Sequence, residues 1–454
     1  MSMTSGKHVD RTICVIGLGY VGLPTAALLA RSGYDVLGVD IDEQVVADVN
    51  RGTTSLQEEG LRTILADAVS SGRLRAAATP EAADIFIICV PTPITADHRA
   101  DLSAVTSAAE AMAPCVETGS LVILESTSPA GTTRNVIGAA LEAHGHDVQT
   151  GVHVCYCPER VLPGDTVGEL VRNSRIIGGV TPEAAERAAG MYKSFCSGEM
   201  CRTTDRVAEL CKLMENTYRD VNIAIANVFA RIGEEAGVDA HEAIRLANMH
   251  PRVDILSPGP GVGGHCIPVD PWFLIEGFPA CTDLLAEARA INDTQAVRLL
   301  DRLQAASGLN KGHHVAILGL AYKGDIDDPR DSPTLALIRE CTRRGLTAHV
   351  HDPLVETDGI AGVPVTRNLK LAVNGADAVI IMTDHACYRS LTPDDVPMRG
   401  QWIADGRGVL NDTAFLAAGM QVLSLGVAAQ GGTETVRVEI PSAPQVTNQF
   451  VGVS

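Results

Sequence analysis

The sequence has no run of about eighteen or more apolar residues, so no segment is expected to cross a bilayer as a helix. It is also short of positive charge. Lys and Arg number 36 against 55 Asp and Glu, a net charge of -19. That balance argues against nucleic acid or an anionic membrane as the main partner, and an anionic ligand would need a local set of cations. The opening stretch, MSMTSGKHVD, lacks the apolar core of a secretory signal. The 12 cysteines form no disulfide frame; Cys14, Cys89 and Cys211 fall within apolar strand or helix patterns. Scattered thiols of this kind suit a reducing compartment, and a cytoplasmic protein is expected. Cys155 and Cys157 form a C-x-C without further clustered ligands, so no metal is expected.

What is present reads as an enzyme of two or three domains: 454 residues, 46% hydrophobic and 20% charged. A β-branched run from Arg11 to Ile16 leads into Gly17-Leu-Gly19-Tyr20-Val21-Gly22, then into a helical pattern ending at Arg31 and Gly33. A second strand, Tyr34 to Val39, ends at Asp40. Strand, glycine turn, helix, strand and acid, in that order, form a dinucleotide site. Gly17 makes the tight turn, Gly19 lets a pyrophosphate approach, and Gly22 lets helix pack on strand. The helix N-terminus attracts the phosphates. Asp40 would accept hydrogen bonds from ribose hydroxyls and, with Asp42 and Glu43, repel a 2′-phosphate. The cofactor is therefore read as NAD rather than NADP.

Further strands at Ile85 to Val90, Leu121 to Leu124 and His153 to Tyr156 end in polar turns. Ligands of a parallel sheet bind beyond such ends. Thr92 and Thr127 stand where a nicotinamide or substrate would lie, although turn hydroxyls fit the same pattern. Glu159 and Arg160 arrive at the same edge. Val207 to Val238 is the longest helical pattern, with Val207, Leu210, Met214, Tyr218, Val221, Ile225, Phe229 and Ile232 at helical spacing and Gly237 as a cap. Lys212 and Asn216 lie one turn apart and Arg219 extends their face, which could be catalytic or simply solvated. A further helix reaches Asn248 and stops at His250-Pro-Arg252.

Pro258 to Phe273, PGPGVGGHCIPVDPWF, fixes Cys266 on a stiff, irregular loop. Such a frame presents a thiol rather than hiding one. Asp270 could orient a neighbour or make an Asx-turn before Pro271. A helix around Leu284 to Leu300 follows. Val315 to Leu318 and Gly319-Leu-Ala-Tyr322-Lys323-Gly324 then open a second α/β unit, without the full three-glycine spacing. Strands at Thr347 to Val350, Ala378 to Met382 and Trp402 to Ala404 end in Asp352-Pro353, Thr383-Asp384-His385 and Asp405-Gly406-Arg407. The expected architecture is α/β. Two Rossmann-like, doubly wound domains (1–200 and 306–430) flank a central helical region (201–305), and a tail (431–454) carries one strand-like run, Thr435 to Ile440.

Taken in order, these motifs resemble the UDP-glucose/GDP-mannose dehydrogenase family over nearly the whole chain. The resemblance rests on the glycine fingerprint, Val90-Pro-Thr-Pro93, Glu125-Ser-Thr-Ser-Pro-Ala-Gly131, Pro158-Glu159, Lys212 with Asn216, Gly263-Gly-His-Cys266 with Asp270, and Lys323 with Arg330. Cys157 to Gly164, Glu215 to Asn222 and His250 to Gly261 look most like members acting on UDP-N-acetyl-D-mannosamine. UDP-N-acetylglucosamine and UDP-glucose are the next candidates. The UDP-glucose enzymes carry a second acid where this chain has Pro163, and Ser where it has His265. Near Asp42 a basic residue is common, whereas here Gln44 and Val45 follow, so no adenine contact is expected there.

The resemblance implies a four-electron oxidation of a sugar C6 hydroxyl to a carboxylate, with two NAD consumed and Cys266 as the covalent nucleophile. Lys212 and Asn216 would hold the oxyanion and the proton, Glu159 would serve acid/base work, Thr127 would hold water, and Asp270 would orient Lys212 or a water. A cation, Lys212 first, would have to raise the thiolate fraction of Cys266. By the same resemblance Arg160, Val161, Lys212, Asn216, Arg219, His250, Arg252, Gly263, Tyr322, Lys323 and Arg407 bind the UDP-sugar. Gly17, Gly19, Tyr20, Val21, Gly22, Asp40, Thr92, Thr127 and Arg330 hold NAD. A homodimer through the central helices is implied, with Arg252 reaching the neighbouring site. Two rivals stand beside this: a two-electron hydroxyacid-type dehydrogenase, and a sugar nucleotide sensor without catalysis.

Overall fold

The computed structural model describes residues 11–428 except Gln57, Leu162, Pro163 and Asp358. The strand-like run at Thr435 to Ile440 and the departure at Pro163 lie outside the described residues. Two sheets carry the fold. The first holds β1 (Thr12–Ile16), β2 (Asp35–Val39), β3 (Leu74–Ala77), β4 (Ile85–Ile88), β5 (Leu121–Leu124), β6 (His153–Tyr156), β7 (Arg175–Gly179) and β8 (Met200–Thr204). Their spatial order is β3-β2-β1-β4-β5-β6-β7-β8, parallel except where β7 meets β6. Strands β4 (IFII) and β5 (LVIL) are apolar at every position because helices cover both faces of the sheet. Alternate residues go to opposite cores: Ile85, Ile87, Leu121 and Ile123 to one, Phe86, Ile88, Val122 and Leu124 to the other.

The second sheet is built from β9 (His314–Leu318), β10 (Thr347–His351), β11 (Gly359–Ile360), β12 (Val363–Thr366), β13 (Ala378–Ile381), β14 (Trp402–Asp405) and β15 (Gln421–Ser424). Its order is β11-β12-β10-β9-β13-β14-β15. Apart from the short β11, this repeats the crossover pattern of the first six strands, with the crevice at the same switch point. Strands β3, β7, β8, β11, β12 and β15 have no counterpart among the sequence expectations. Strands β3, β8, β11, β12 and β15 are short or half-exposed with a weak apolar pattern, while the buried β7 (RIIGG) has only two apolar side chains between an arginine and two glycines.

Between the sheets runs a 32-residue helix, Asp205–Ala236. Thr204 caps its start by accepting from the Val207 N–H, and Gly237 ends it at φ +75°. Its amphipathicity is inverted. The apolar series read from the sequence largely faces out, with Met214 54% and Tyr218 62% exposed, while Lys212 and Asn216 are only 5% and 8% exposed. A solvated face is therefore the wrong reading for Lys212 and Asn216; it holds only for Arg219, which is exposed. The inward face is polar because it meets a second helix, Asp283–Ser307, through hydrogen bonds. Asn227 donates to Asn292 at 3.0 Å, and the buried Arg289 pairs with Asp220 at 2.5 Å. Among the described residues no helix is long and apolar enough to cross a membrane.

Candidate active site

A cleft of about 1020 Å³ runs between the first sheet, the central helices and the second unit. The glycine turn forms part of its wall. Gly17 sits at φ +93°, and a Cβ there would lie 2.7 Å from the Cys89 carbonyl oxygen. A Cβ on Gly22 would lie 1.8 Å from the Gly17 oxygen, so the helix packs this close to the turn only because residue 22 is glycine. Gly19 differs: a Cβ there would meet nothing within 4 Å, and Gly19, Tyr20 and Val21 line the cleft. The bare side of Gly19 leaves room for a ligand at the N-terminus of the helix Gly22–Arg31. Asp40, half-buried, accepts from the Leu18 N–H at 2.9 Å and the Asp42 N–H at 3.0 Å. A carboxylate has capacity beyond two such bonds. These residues fit a dinucleotide: an open bed for the pyrophosphate and an acid for a ribose. Thr92 and Thr127 both line the cleft, and the Thr92 hydroxyl donates to the Thr127 carbonyl at 2.5 Å.

The same cleft is lined by Glu159, Cys266 and Asp270. The prolines of the cysteine loop stop it from forming a helix until Asp270, the first residue of the helix Asp270–Gly277. Lys212 and Asn216 stand just behind this wall. The Lys212 ammonium donates to the Glu159 carbonyl at 2.9 Å, and the Asn216 amide donates to Asp270 Oδ2 at 2.6 Å. The Cys266 side chain opens into the cleft while protein surrounds it on its other sides.

The electrostatics follow from burial first. Burial and then Asp270 push the Cys266 thiol up to about 11, and Lys212 and Arg219 only partly oppose this. The cation expected to favour the thiolate is present but does not prevail. Burial pushes the Asp270 carboxyl up to about 6 against Lys212 and the Asn216 hydrogen bond. Burial likewise raises Glu159, with Lys212 opposing. For Lys212 burial pulls downward, yet Glu159 and Asp270 outweigh it and hold the ammonium above its usual value. Lys212 is thus a charged donor, and the two carboxyls with raised values are the groups fit to take a proton.

The second unit closes the cleft. Arg330 is held by Asp328 in a bidentate pair (2.8 and 2.6 Å), and its guanidinium lies 5.7 Å from the Tyr20 ring centre. Gly264, at φ +86°, donates its N–H to the Arg330 carbonyl at 3.1 Å. A Cβ on Gly263 would lie 2.6 Å from Tyr322 Cβ. The cysteine loop therefore packs directly on the segment 322–331. Arg407 donates to the Met382 carbonyl at 3.0 Å and lies beside Gly259.

Other expected site residues stand apart from this cleft. Arg160 pairs with Glu215 at 2.7 Å and, with Val161, borders a separate small depression beside Asn173. Arg219, His250, Arg252 and Lys323 are exposed and do not line the cleft. Conversely, sequence reading missed His98 and Trp272, which stack at 4.0 Å and both line the cleft. His98 sits at φ +60° in a loop whose Ala100 N–H donates to Glu276 at 2.9 Å. No local pattern signals a pair so distant in sequence. Glu125, which accepts from the Tyr192 hydroxyl at 2.6 Å and lies 3.4 Å from the buried Arg175, also borders the cleft. Its place at the carboxyl end of β5 was the available signal.

Known proteins resemble the chain along most of its length. Models of the UDP-glucose/GDP-mannose dehydrogenase family match in three parts: the NAD binding domain at residues 11–196, the central domain at 206–294 and the UDP binding domain at 316–412. The UDP-N-acetyl-D-mannosamine dehydrogenase of Yersinia pestis is 43% identical over 420 residues, 88% of this chain and 99% of its own. The NDP-N-acetyl-D-galactosaminuronic acid dehydrogenase of Ralstonia nicotianae is 43% identical over 411 residues, 87% of this chain and 97% of its own. The structure of the UDP-D-ManNAc dehydrogenase from Pyrococcus horikoshii superposes with a TM-score of 0.85 at 39% identity, covering 92% of this chain and 99% of that one.

Proposed function

Because the chain belongs to the UDP-glucose/GDP-mannose dehydrogenase family of NAD-dependent oxidoreductases, we propose that it oxidises C6 of UDP-N-acetyl-D-mannosamine to the uronate, for surface polysaccharide precursor synthesis. The observation that carries the chemistry is the meeting of Cys266, Asp270 and Glu159 in the wall of the cleft with Lys212 and Asn216 bonded directly behind them. NAD supplies the hydride acceptor for both oxidations. In the first, a carboxyl of raised pKa, Asp270 or Glu159, takes the C6 hydroxyl proton directly or through water. The Lys212 ammonium and the Asn216 amide then hold the oxygen as charge develops.

The thiol of Cys266 next adds to the aldehyde carbon, its proton passing to a neighbouring carboxylate, to form the oxyanion of a thiohemiacetal held by Lys212 and Asn216. Loss of the second hydride gives a thioester. Water held near Thr127 hydrolyses it with Glu159 as base, returning the thiol and releasing the carboxylate. Covalent capture keeps the aldehyde bound between the two oxidations. Burial and Asp270 push the resting thiol up to about 11, which suits a thiol that gives up its proton as it adds to the aldehyde.

We assign Lys323 and Arg407 of the second unit to the UDP diphosphate, and Arg160, Val161, Arg219, His250, Gly263 and Tyr322 to the rest of the sugar nucleotide. Arg252 is assigned to a neighbouring copy's site. The exposed apolar face of the long helix, with Met214, Tyr218, Ile225 and Ile232, supports a homodimer built on that face. All 12 cysteines are free thiols, which supports a cytoplasmic location.

The sugar rests on the Yersinia relative, and the Ralstonia relative, at the same identity, keeps a galactosamine-type substrate as the second reading. Purified protein mixed with NAD and the UDP derivatives of N-acetylmannosamine, N-acetylglucosamine, N-acetylgalactosamine and glucose decides. Two NADH per UDP-N-acetylmannosamine, with little from the others, is the expected result. One NADH with free aldehyde would remove Cys266 from the mechanism. A different preferred sugar would replace the substrate, and binding without NADH would favour a sensor.

A further inference from the structure

The residues after β13, Thr383, Asp384 and His385, take no part in the reaction described above, yet each bonds the loop that carries Tyr322 and Lys323. The Thr383 hydroxyl donates to the Ala321 carbonyl at 2.6 Å. The Gly324 N–H donates to Asp384 Oδ1 at 3.2 Å, and the Asp325 N–H donates to His385 Nδ1 at 3.0 Å. Asp325 Oδ1 accepts the Ala386 N–H in return, at 3.0 Å. His385 is fully buried, and its Nε2 lies 3.1 Å from Asp352 Oδ2. A ring nitrogen that accepts from a backbone N–H leaves the other as the donor, so its partners fix one neutral tautomer.

That loop has reason to need holding. Between β9 and the helix Pro333–Arg343 the chain forms no regular element. Asp325 sits at φ +61°, a left-handed conformation that a non-glycine residue keeps only when its surroundings impose it. Lys323 is exposed, so the placement of its backbone sets the region its ammonium can reach. A charged side chain on a loop that must be ordered at binding loses affinity to that ordering, and prior fixation removes the loss.

We propose that His385, anchored by Asp352, is a positioning residue for the Lys323 loop, holding it in the form that receives the diphosphate of a nucleotide sugar. The proposal rests on the assignment of Lys323 to that diphosphate. It assigns the buried His–Asp pair a share in substrate affinity rather than in fold stability alone.

The test titrates UDP and NAD separately into the full-length protein and its variants, with steady-state kinetics alongside. His385→Leu is expected to weaken UDP about tenfold, the effect of one or two lost buried hydrogen bonds, and to leave NAD within about twofold. KM for the sugar nucleotide rises while kcat at saturation holds. His385→Gln, whose amide can both accept and donate, restores part of the affinity. If the Leu variant does not fold, Thr383→Val decides: it keeps the volume, removes one bond to the loop, and is expected to weaken UDP about threefold with NAD unchanged. UDP affinity equal to wild type in a folded variant, or a parallel fall in UDP affinity, NAD affinity and kcat, would overturn the proposal. Lys323→Ala separates the two layers. If it leaves UDP binding intact, the diphosphate assignment fails and the proposal with it. If it weakens UDP while His385→Leu does not, the positioning role alone fails.

Discussion

The two α/β units begin alike and then use the same residue type in opposite ways. Gly17 after β1 donates its N–H to Val39 at 2.8 Å, and Gly319 after β9 donates to His351 at 2.8 Å. Both glycines have φ near +100°, at +93° and +101°. In both, an aspartate follows the second strand and accepts the N–H after the glycine: Asp40 from Leu18 at 2.9 Å, Asp352 from Leu320 at 2.8 Å. Asp40 then stays half-buried with capacity to spare. Asp352 is fully buried and also accepts from Ala321, Leu354, Val355 and His385. In the first unit the turn runs straight into a helix whose N-terminus faces the cleft; in the second it runs into the loop of Tyr322 and Lys323. One acid keeps capacity to spare, the other is consumed by the fold. On our assignments the same topology thus serves a dinucleotide through backbone and helix dipole in one unit, and a diphosphate through side-chain cations in the other.

The largest effect expected lies at the junction of the units. Cys266→Ser should lower acid formation by about a thousandfold or more while UDP and NAD still bind, since only the covalent step is lost. Acid formation at the wild-type rate, measured by product chromatography, would break the thioester scheme.

The two acids should then separate by stability. Asp352→Ala leaves several buried N–H groups without an acceptor and should cost about 3–5 kcal/mol in denaturant unfolding. Asp40→Ala should cost less than about 1 kcal/mol, because water can replace a half-exposed carboxylate. Equal losses would erase the distinction drawn between them. Acid titration sharpens it. The Asp352 carboxyl is held well below the usual carboxylate range by His385 and backbone N–H groups, against its burial. A depressed folded value stabilises above the unfolded value and loses that stability as pH falls through it, so wild type should weaken below about pH 4. Asp352→Asn should show a flatter acid limb.

Asp270 carries the opposite sign. Its folded value, about 6, lies above the unfolded one, so its contribution is full below about pH 4 and is lost as pH rises to about 6. Asp270→Asn should therefore raise the melting temperature at pH 8, by the equivalent of about 1–3 kcal/mol, with no gain at pH 3.5. It should also lose activity. A lower Tm at pH 8 would show that the carboxylate is not held at a cost to the fold.

The legible parts of the chain are those whose cause is local. The turn at Gly17 to Gly22, the buried strands β4 to β6, the cap at Gly237 and the proline-framed Cys266 each announce themselves within a few residues. What was not legible depends on partners far along the chain. The helix Asp205–Ala236 showed its apolar period, but only the polar contacts from Asp283–Ser307 reveal that the polar face points inward. The stacking of His98 on Trp272 depends on a loop folding across the cleft. The thiol of Cys266 has its expected cation nearby, yet the balance between Lys212 and the combined burial and Asp270 charge could only be weighed with the fold in hand.

The central claim is the division of labour between the two units, and titration calorimetry on two variants tests it directly. Asp40→Ala should weaken NAD by about 1–3 kcal/mol and leave UDP unchanged, while Lys323→Ala should weaken UDP by a similar amount and leave NAD unchanged. That crossed pattern is the result the account predicts. NAD affinity unchanged by Asp40→Ala, or UDP affinity unchanged by Lys323→Ala, would contradict it.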